Sequence, residues 1–276
     1  MSSWGQTLTC RMFCIGGVPR ALTLSDREQK ELFLDGYVDT YLKEEVVAEQ
    51  LVRNLIPFRL FLEVAAQCNG EIVNYSKIAR DIDAEDTTVK NYFDILVDTH
   101  IGFRLPAFGR SLRKQQNKAP KFYLFDLGVA RALANFEVAR LTEGSALFGK
   151  AFKHFVIAEC LRLNHYQGTR YKFSYFRSKD GREVDLVVQQ GKQKLLFVEI
   201  KSTDTIREID LTAVRAVSSE VPGSEAWVIC REARETWIDG VRVLPWQKAL
   251  QELFFAEVIA ITCLLYTSPS PRDPSI

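Results

Sequence analysis

The spacing of hydrophobic and polar positions changes near the middle of the chain. In the first half, apolar residues recur at intervals of three and four, as in amphipathic helices, whereas in the second half short apolar runs typical of strands lie between helical segments. The predicted helices are Leu32–Val47, Leu51–Cys68, Tyr75–Asp81, Thr87–Thr99, Ala146–His165, Ile209–Val217 and Trp246–Phe254, and the predicted strands are Lys172–Arg177, Glu183–Gln190, Lys194–Lys201, Glu225–Cys230 and Val241–Leu244. This order predicts a helical first half and an α/β second half built on a mixed sheet.

The helix pair Tyr75–Asp81 and Thr87–Thr99, joined by a short turn, is typical of a winged helix-turn-helix. In its second helix Lys90 and Asn91 face outward, where a recognition helix meets DNA, although several acidic residues crowd the start of that helix. A basic wing is predicted after the first wing strand, with the candidate DNA contacts Arg110, Arg113, Lys114, Lys118 and Lys121. The alternatives are a solvated loop and a surface that docks on another protein.

Two carboxylates and a lysine interrupt otherwise apolar strands in the second half. Asp185 lies in one strand, and Glu199 and Lys201 lie in the next. If Gly191, Lys192 and Gln193 form a three-residue hairpin loop, Gln190 pairs with Lys194 and Asp185 falls opposite Glu199. A two-residue loop would place the carboxylates on opposite faces.

Carboxylates this close repel each other unless a cation lies between them. Hard oxygen ligands suit Mg2+ or Mn2+, so Asp185 and Glu199 are candidate metal ligands beside Lys201. A cross-strand salt bridge of Lys201 with either carboxylate is the equally simple alternative.

Asp185 followed by Glu199-Ile200-Lys201 resembles the core of the PD-(D/E)xK nuclease-like superfamily, which includes restriction endonucleases and archaeal Holliday junction resolvases. Other segments resemble the C-terminal domain of unknown function that follows an AAA-type ATPase core in bacteria and archaea. These segments are Gly16–Pro19, Lys118–Gly128, Gly149–Phe152, Tyr175–Lys179 and Glu183–Asp185. The resemblance implies a restriction-endonuclease-like fold, Mg2+ held by Asp185 and Glu199, catalytic help from Lys201, and an ATPase core as partner.

One position departs from the family pattern. A glutamate usually follows the phenylalanine of the helix before the strands, and here Lys153 follows Phe152. On a helical wheel Glu159 lies at the centre of an apolar stripe containing Phe148, Phe155 and Leu163. Glu159 would therefore either replace the missing carboxylate as a catalytic residue or pair with Arg177 or Arg182.

Composition narrows the class of protein. The 276 residues carry a net charge of +1, so contact with nucleic acid would depend on local patches. Scattered cysteines favour reduced thiols in the cytoplasm, and no apolar run is long enough to span a membrane.

The stretch Gly144–Ala151 resembles a P-loop, but Ala151 lacks the hydroxyl that would hold Mg2+, so no nucleotide site or ATPase activity is expected.

These patterns predict four regions. They are a helical linker at residues 1–48 left from an ATPase core, a winged helix at 49–128, a nuclease-like domain at 129–255, and a non-native or disordered tail at 256–276. The leading functional hypothesis is metal-dependent hydrolysis of DNA by a fragment of an ATP-binding protein. The rival is an inactive DNA- or protein-binding regulatory module that keeps the fold.

Overall fold

The computed structural model describes residues 16–42, 55–109, 118–134, 142–191 and 194–255, which form a mixed α/β structure. Helices dominate the first part, and a six-stranded sheet organises the second. The prediction of a helical half followed by an α/β half is confirmed at this level.

The first described helices are α1, Pro19–Thr23, and α2, Arg27–Tyr37, which continues into a π-helical turn at Val38–Leu42. The predicted start of α2 at Leu32 is wrong. The first turn of α2 is polar, so apolar spacing does not reveal it. The helix begins at Arg27, and Asp26 caps it by accepting a hydrogen bond from the Gln29 amide. The predicted continuation to Val47 lies outside the described residues.

Three further helices and a two-stranded sheet complete the first part. They are α3 (Leu55–Gln67), α4 (Tyr75–Asp81), α5 (Asp86–Asp98), β1 (Gly102–Leu105), β2 (Lys121–Leu124) and α6 (Leu127–Leu133). Strands β1 and β2 pair antiparallel, and Ile72 adds a single bridge to Lys121. Phe93 packs edge-on against Phe61 and Phe122, with ring centroids 4.8 Å apart in both pairs. Aromatic packing of this kind holds the helices on the small sheet.

The second part begins with the long helix α7, Ala146–Gln167, and ends with a helix over residues 246–255. Between them lie β3 (Lys172–Arg177), β4 (Glu183–Gln190), β5 (Lys194–Ile200), α8 (Glu208–Ser219), β6 (Glu225–Cys230), β7 (Thr236–Ile238) and β8 (Val241–Pro245). The strand order is β3-β4-β5-β6-β8-β7, with parallel pairing only between β5 and β6 and between β6 and β8. The five predicted strands are confirmed to within one residue, and β7 was not predicted.

Helix α7 and helix α8 are associated with different hydrophobic clusters of the sheet. Leu186 and Val198 pack in the cluster with α7, whereas Val187 and Phe197 pack in the cluster with α8. Helix α7 is buried around most of its circumference, with the buried side chains Phe148, Ala151, Phe152, His154, Phe155, Val156, Ile157, Ala158 and Cys160. The single apolar stripe predicted for α7 is therefore too narrow, because the helix also packs against the first part of the molecule.

The two parts are joined along the outer edge of β3. The Phe108 amide donates to the Tyr175 carbonyl at 2.6 Å, and the Tyr175 amide donates to the Pro106 carbonyl at 2.9 Å. The Tyr175 hydroxyl donates to the Ala119 carbonyl at 2.6 Å. Residues on both sides of the β1–β2 connection thus cover an edge that would otherwise expose unpaired backbone groups.

The Gly16-Gly17 pair is anchored at the start of α6. The Gly17 amide donates to Asp126 Oδ2 at 2.5 Å, and Asp126 Oδ1 accepts from the Val129 amide. Gly16 has a φ of +101°, and a Cβ there would come within 2.7 Å of the Gly128 nitrogen. Two segments distant in sequence therefore meet at a position that requires glycine.

No helix within the described ranges is both long and apolar enough to cross a membrane.

Candidate functional site

The charged hairpin has the predicted register. Gln190 pairs with Lys194, and the ladder continues to Leu186 opposite Val198. This is the pairing expected from a three-residue loop, of which Lys192 and Gln193 lie outside the described residues. Beyond Leu186 a side chain replaces the backbone as hydrogen-bond acceptor: Asp185 Oδ2 accepts a hydrogen bond from the Ile200 amide at 2.9 Å.

Asp185 is buried, with 3 % of its surface exposed, and both of its oxygens have partners. Oδ2 accepts from the Ile200 amide, and Oδ1 accepts from Lys153 Nζ at 2.7 Å. A buried carboxylate needs such compensation, since removal from water is otherwise costly. Its cation comes from helix α7.

Lys153 reaches the site from α7, and its side chain keeps 36 % of its surface exposed. Burial alone would lower the pKa of Lys153, but the charges of Asp185 and Glu199 outweigh that effect and raise the pKa above its ordinary value. The protonated ammonium is therefore the form that the site stabilises.

Glu199 is 7 % exposed, and only one of its oxygens has a partner. Lys201 Nζ lies 3.1 Å from Oε1, while Oε2 is buried without a hydrogen bond. Burial and the charge of Asp185 raise the pKa of Glu199 to about 7, against the opposing charges of Lys201 and Lys153. The site thus favours a proton or a cation near Glu199.

Two further carboxylates extend this arrangement. Asp210, in the first turn of α8, lies 3.8 Å from Lys201 Nζ, and Glu183 lies 2.5 Å from Lys121 Nζ. Asp210 was not identified from the sequence. A carboxylate is common in the first turn of any helix, so the sequence does not single out Asp210. Its approach to Lys201 results from the crossover that places α8 over the sheet.

Glu159 forms an ion pair with Arg162 of the same helix. Arg162 also donates to the Phe125 carbonyl at 2.6 Å. The alternative in which Glu159 pairs with Arg177 or Arg182 is wrong, since the Glu159 carboxylate pairs with Arg162 instead, and Arg182 pairs with Asp180 and Glu220. No described hydrogen bond or ion pair brings Glu159 to Asp185 or Glu199.

The four side chains Lys153, Asp185, Glu199 and Lys201, hereafter the site cluster, do not fit Mg2+ as they stand. The described residues contain no group of three or more His, Cys, Asp or Glu side chains able to hold a metal ion. Lys153 Nζ already contacts the Asp185 oxygen that a metal would use. A divalent ion would need 2.0–2.1 Å contacts and would be repelled by the ammonium.

The residues nominated for DNA contact have different surroundings. Lys90 and Asn91 are exposed, and Lys90 Nζ lies 5.5 Å from the centroid of the Tyr75 ring. Lys118 donates to the Arg177 carbonyl at 3.1 Å, and Lys121 is 6 % exposed. The ammonium of Lys121 is therefore directed into the protein. Arg110, Arg113 and Lys114 lie outside the described residues.

A buried polar network lies between the first part and α7. His154 Nε2 is 2.8 Å from the Leu124 carbonyl, and Nδ1 is 2.9 Å from Asn69 Nδ2. The carbonyl requires a donor and the amide nitrogen requires an acceptor, which indicates the neutral histidine protonated at Nε2. Burial lowers the pKa of His154 to about 4, with a smaller contribution from Arg162.

Comparisons with known proteins divide the chain in two. Residues 6–140 match a family described as a domain of unknown function, DUF8612, and residues 148–249 match another domain of unknown function, DUF4143. Domains of the second kind are commonly found at the C-terminus of AAA-type ATPases.

Two curated relatives are uncharacterized mycobacterial proteins, Mb2031c of Mycobacterium bovis and Rv2008c of Mycobacterium tuberculosis. Each is 25% identical over 201 residues, which cover 73% of this chain and 44% of the relative. The aligned part of the chain thus spans less than half the length of these relatives. No solved structure gives a significant match. The chain is therefore similar to two adjoining domain families of unknown function, the second of which commonly accompanies an AAA-type ATPase core.

Proposed function

We propose that the chain is the winged-helix and nuclease-like part of an AAA-type ATPase, and that it acts as a binding or regulatory module without cleaving nucleic acid. The observation that carries this proposal is the ion pair between Lys153 and Asp185 at 2.7 Å. It supplies the protein's own cation where hydrolysis would require a metal ion.

The winged-helix assignment is supported by the order of elements in the first part. Helices α3, α4 and α5 are followed by the antiparallel pair β1 and β2, and Ile72 bridges to the same small sheet. The side chains Val89, Tyr92, Phe93 and Leu96 bury one face of α5. The opposite face carries Lys90 and Asn91, as in a recognition helix.

The nuclease-like assignment is supported by the second part. A long helix precedes the antiparallel strands β3, β4 and β5, and α8 then crosses over to the parallel strand β6. The charged residues Asp185, Glu199 and Lys201 lie together where β4 begins and β5 ends. That arrangement agrees with the PD-(D/E)xK resemblance of the sequence.

A protein partner suits the described surface better than DNA. The exposed side chains Asp83, Glu85 and Asp86 surround the start of α5, where a phosphate backbone would be repelled. Two of the lysines proposed for the wing contact the second part instead: Lys118 donates a hydrogen bond to the Arg177 carbonyl, and Lys121 forms an ion pair with Glu183. An ATPase core is the partner that the DUF4143 match favours.

A second candidate function, a Mg2+-dependent nuclease, is favoured by one observation. Glu199 Oε2 is buried without a partner, and burial raises the pKa of this carboxyl to about 7. Such a group is typical of catalytic centres as well as of ion-pair networks. This function would require Lys153 to leave Asp185.

Cleavage assays separate the two candidates. Purified protein is incubated with plasmid, linear, single-stranded and branched DNA and with RNA, in Mg2+ or Mn2+. We expect no more cleavage than with the Asp185→Ala and Lys201→Ala variants prepared in parallel. Metal-dependent cleavage by the parent protein that both variants lose would contradict the proposal and establish the nuclease.

A further inference from the structure

We infer that the ammonium group of Lys153 is the resident cation of the site cluster, and that removing its charge converts the cluster into a divalent metal site. This inference rests on the proposed non-catalytic function and extends it. Residue 153 then decides whether the nuclease-like scaffold carries an internal cation or an exchangeable one.

The first support is the contact itself. Lys153 Nζ lies 2.7 Å from Asp185 Oδ1, while the other oxygen of Asp185 is fixed by the Ile200 amide at 2.9 Å. The carboxylate is thereby oriented with one oxygen toward the lysine. If the lysine left, Oδ1 would have no described partner and would favour another cation.

The second support is the unused oxygen of Glu199. Glu199 is more than nine-tenths buried, and its Oε2 has no hydrogen-bond partner. The charges of Asp185 and Lys153 both act on this group. Asp185 Oδ1 and Glu199 Oε2 would be two oxygen ligands, and Mg2+ or Mn2+ completes its shell with water.

The third support is access. The side chain of Lys153 retains 36 % exposure, so its position opens to solvent on one side. The Cα of residue 153 is held by α7, most of whose circumference is buried around this position. A glutamate is one bond shorter than a lysine, and a metal–oxygen bond of about 2 Å would bridge that difference.

Metal binding by four proteins tests the inference. Mn2+ is titrated into the parent, Lys153→Glu, Lys153→Met and Lys150→Glu proteins, and free Mn2+ is followed by electron paramagnetic resonance. We expect Lys153→Glu to bind one Mn2+ at least tenfold more tightly than the parent. An added Asp185→Asn substitution should abolish that gain.

Lys150→Glu is the matched control. Lys150 lies on the same helix one turn earlier and forms an exposed ion pair with Glu71 at 2.6 Å. It receives the same charge reversal outside the site cluster, so its Mn2+ affinity should equal that of the parent.

The outcomes distinguish this inference from the proposed function. Circular dichroism first establishes that each variant folds; if Lys153→Glu does not, Lys153→Met must show a Mn2+-dependent rise in melting temperature that the parent lacks. Folded variants that bind no more Mn2+ than the parent overturn the inference, while a parent that still fails to cleave DNA leaves the proposed function standing. Cleavage by the parent overturns the proposed function whatever the Mn2+ titrations give.

Discussion

Replacing Asp185 with alanine is expected to lower the free energy of unfolding by about 3 kcal/mol. The substitution removes the partner of Lys153 and leaves the Ile200 amide without its acceptor. The Ile200 amide is buried, where one unpaired polar group alone costs about 1–3 kcal/mol, whereas Lys153 is partly exposed and regains hydration. Some repulsion of Glu199 is relieved, because the charge of Asp185 acts against that carboxylate. Urea unfolding at pH 7.5 measures the difference.

Two companion variants separate the components of that loss. Asp185→Asn can keep the bond from the Ile200 amide and loses only the charge, so its stability should lie between the parent and Asp185→Ala. Glu71→Ala breaks the exposed ion pair with Lys150, which lies on α7 like Lys153, and should lower the free energy of unfolding by less than about 1 kcal/mol. If Asp185→Ala were no more damaging than Glu71→Ala, the buried ion pair would not contribute as described.

Acid should destabilise the protein through His154. The pKa of His154 is about 4 in the folded protein, against 6.5 for an ordinary histidine, because burial of the ring disfavours the charged form. The unfolded chain takes up a proton below pH 6.5, so the stabilisation is full above that pH and is lost as the pH falls toward 4. Between pH 7.5 and pH 5 the loss from this group is about 2 kcal/mol.

The measurement is a comparison of variants, because Glu199 acts in the opposite direction. Its pKa is raised to about 7, so its contribution is greatest below pH 4.5 and is lost as the pH rises through 7. Unfolding free energies of the parent and His154→Gln are measured at pH 7.5 and pH 5, and the variant should lose about 2 kcal/mol less on acidification. His165→Gln removes an exposed histidine from the same helix and should behave like the parent. Equal pH dependence in parent and His154→Gln would refute the role of the buried ring.

The hairpin could be predicted from the sequence because local rules determine its geometry. Alternation in Glu183–Gln190 and Lys194–Ile200, together with a loop length allowed by Gly191, sets the observed register. Helix α6 and strand β7 were missed, since Leu127–Leu133 and Thr236–Ile238 are too short for a periodic signal.

The sequence could not predict which side chains meet in the site cluster, because tertiary contacts bring them together. Lys153 was recognised as an unusual residue, but its spacing from Asp185 in the sequence does not reveal a 2.7 Å contact. Glu159 was nominated from a helical wheel that assumed one buried face, and α7 has more than one. Lys121 read as part of a basic wing, yet strand β2 directs it to Glu183. In each case the partner comes from a distant segment or from packing on a second face.

A crystal structure grown in millimolar Mn2+ tests the central claim most directly, because anomalous scattering locates the metal. The expected result is Lys153 Nζ bonded to Asp185 and no anomalous peak between Asp185 and Glu199. A Mn2+ ion bound by both carboxylates, with Lys153 displaced toward solvent, would contradict the claim that this protein supplies its own cation.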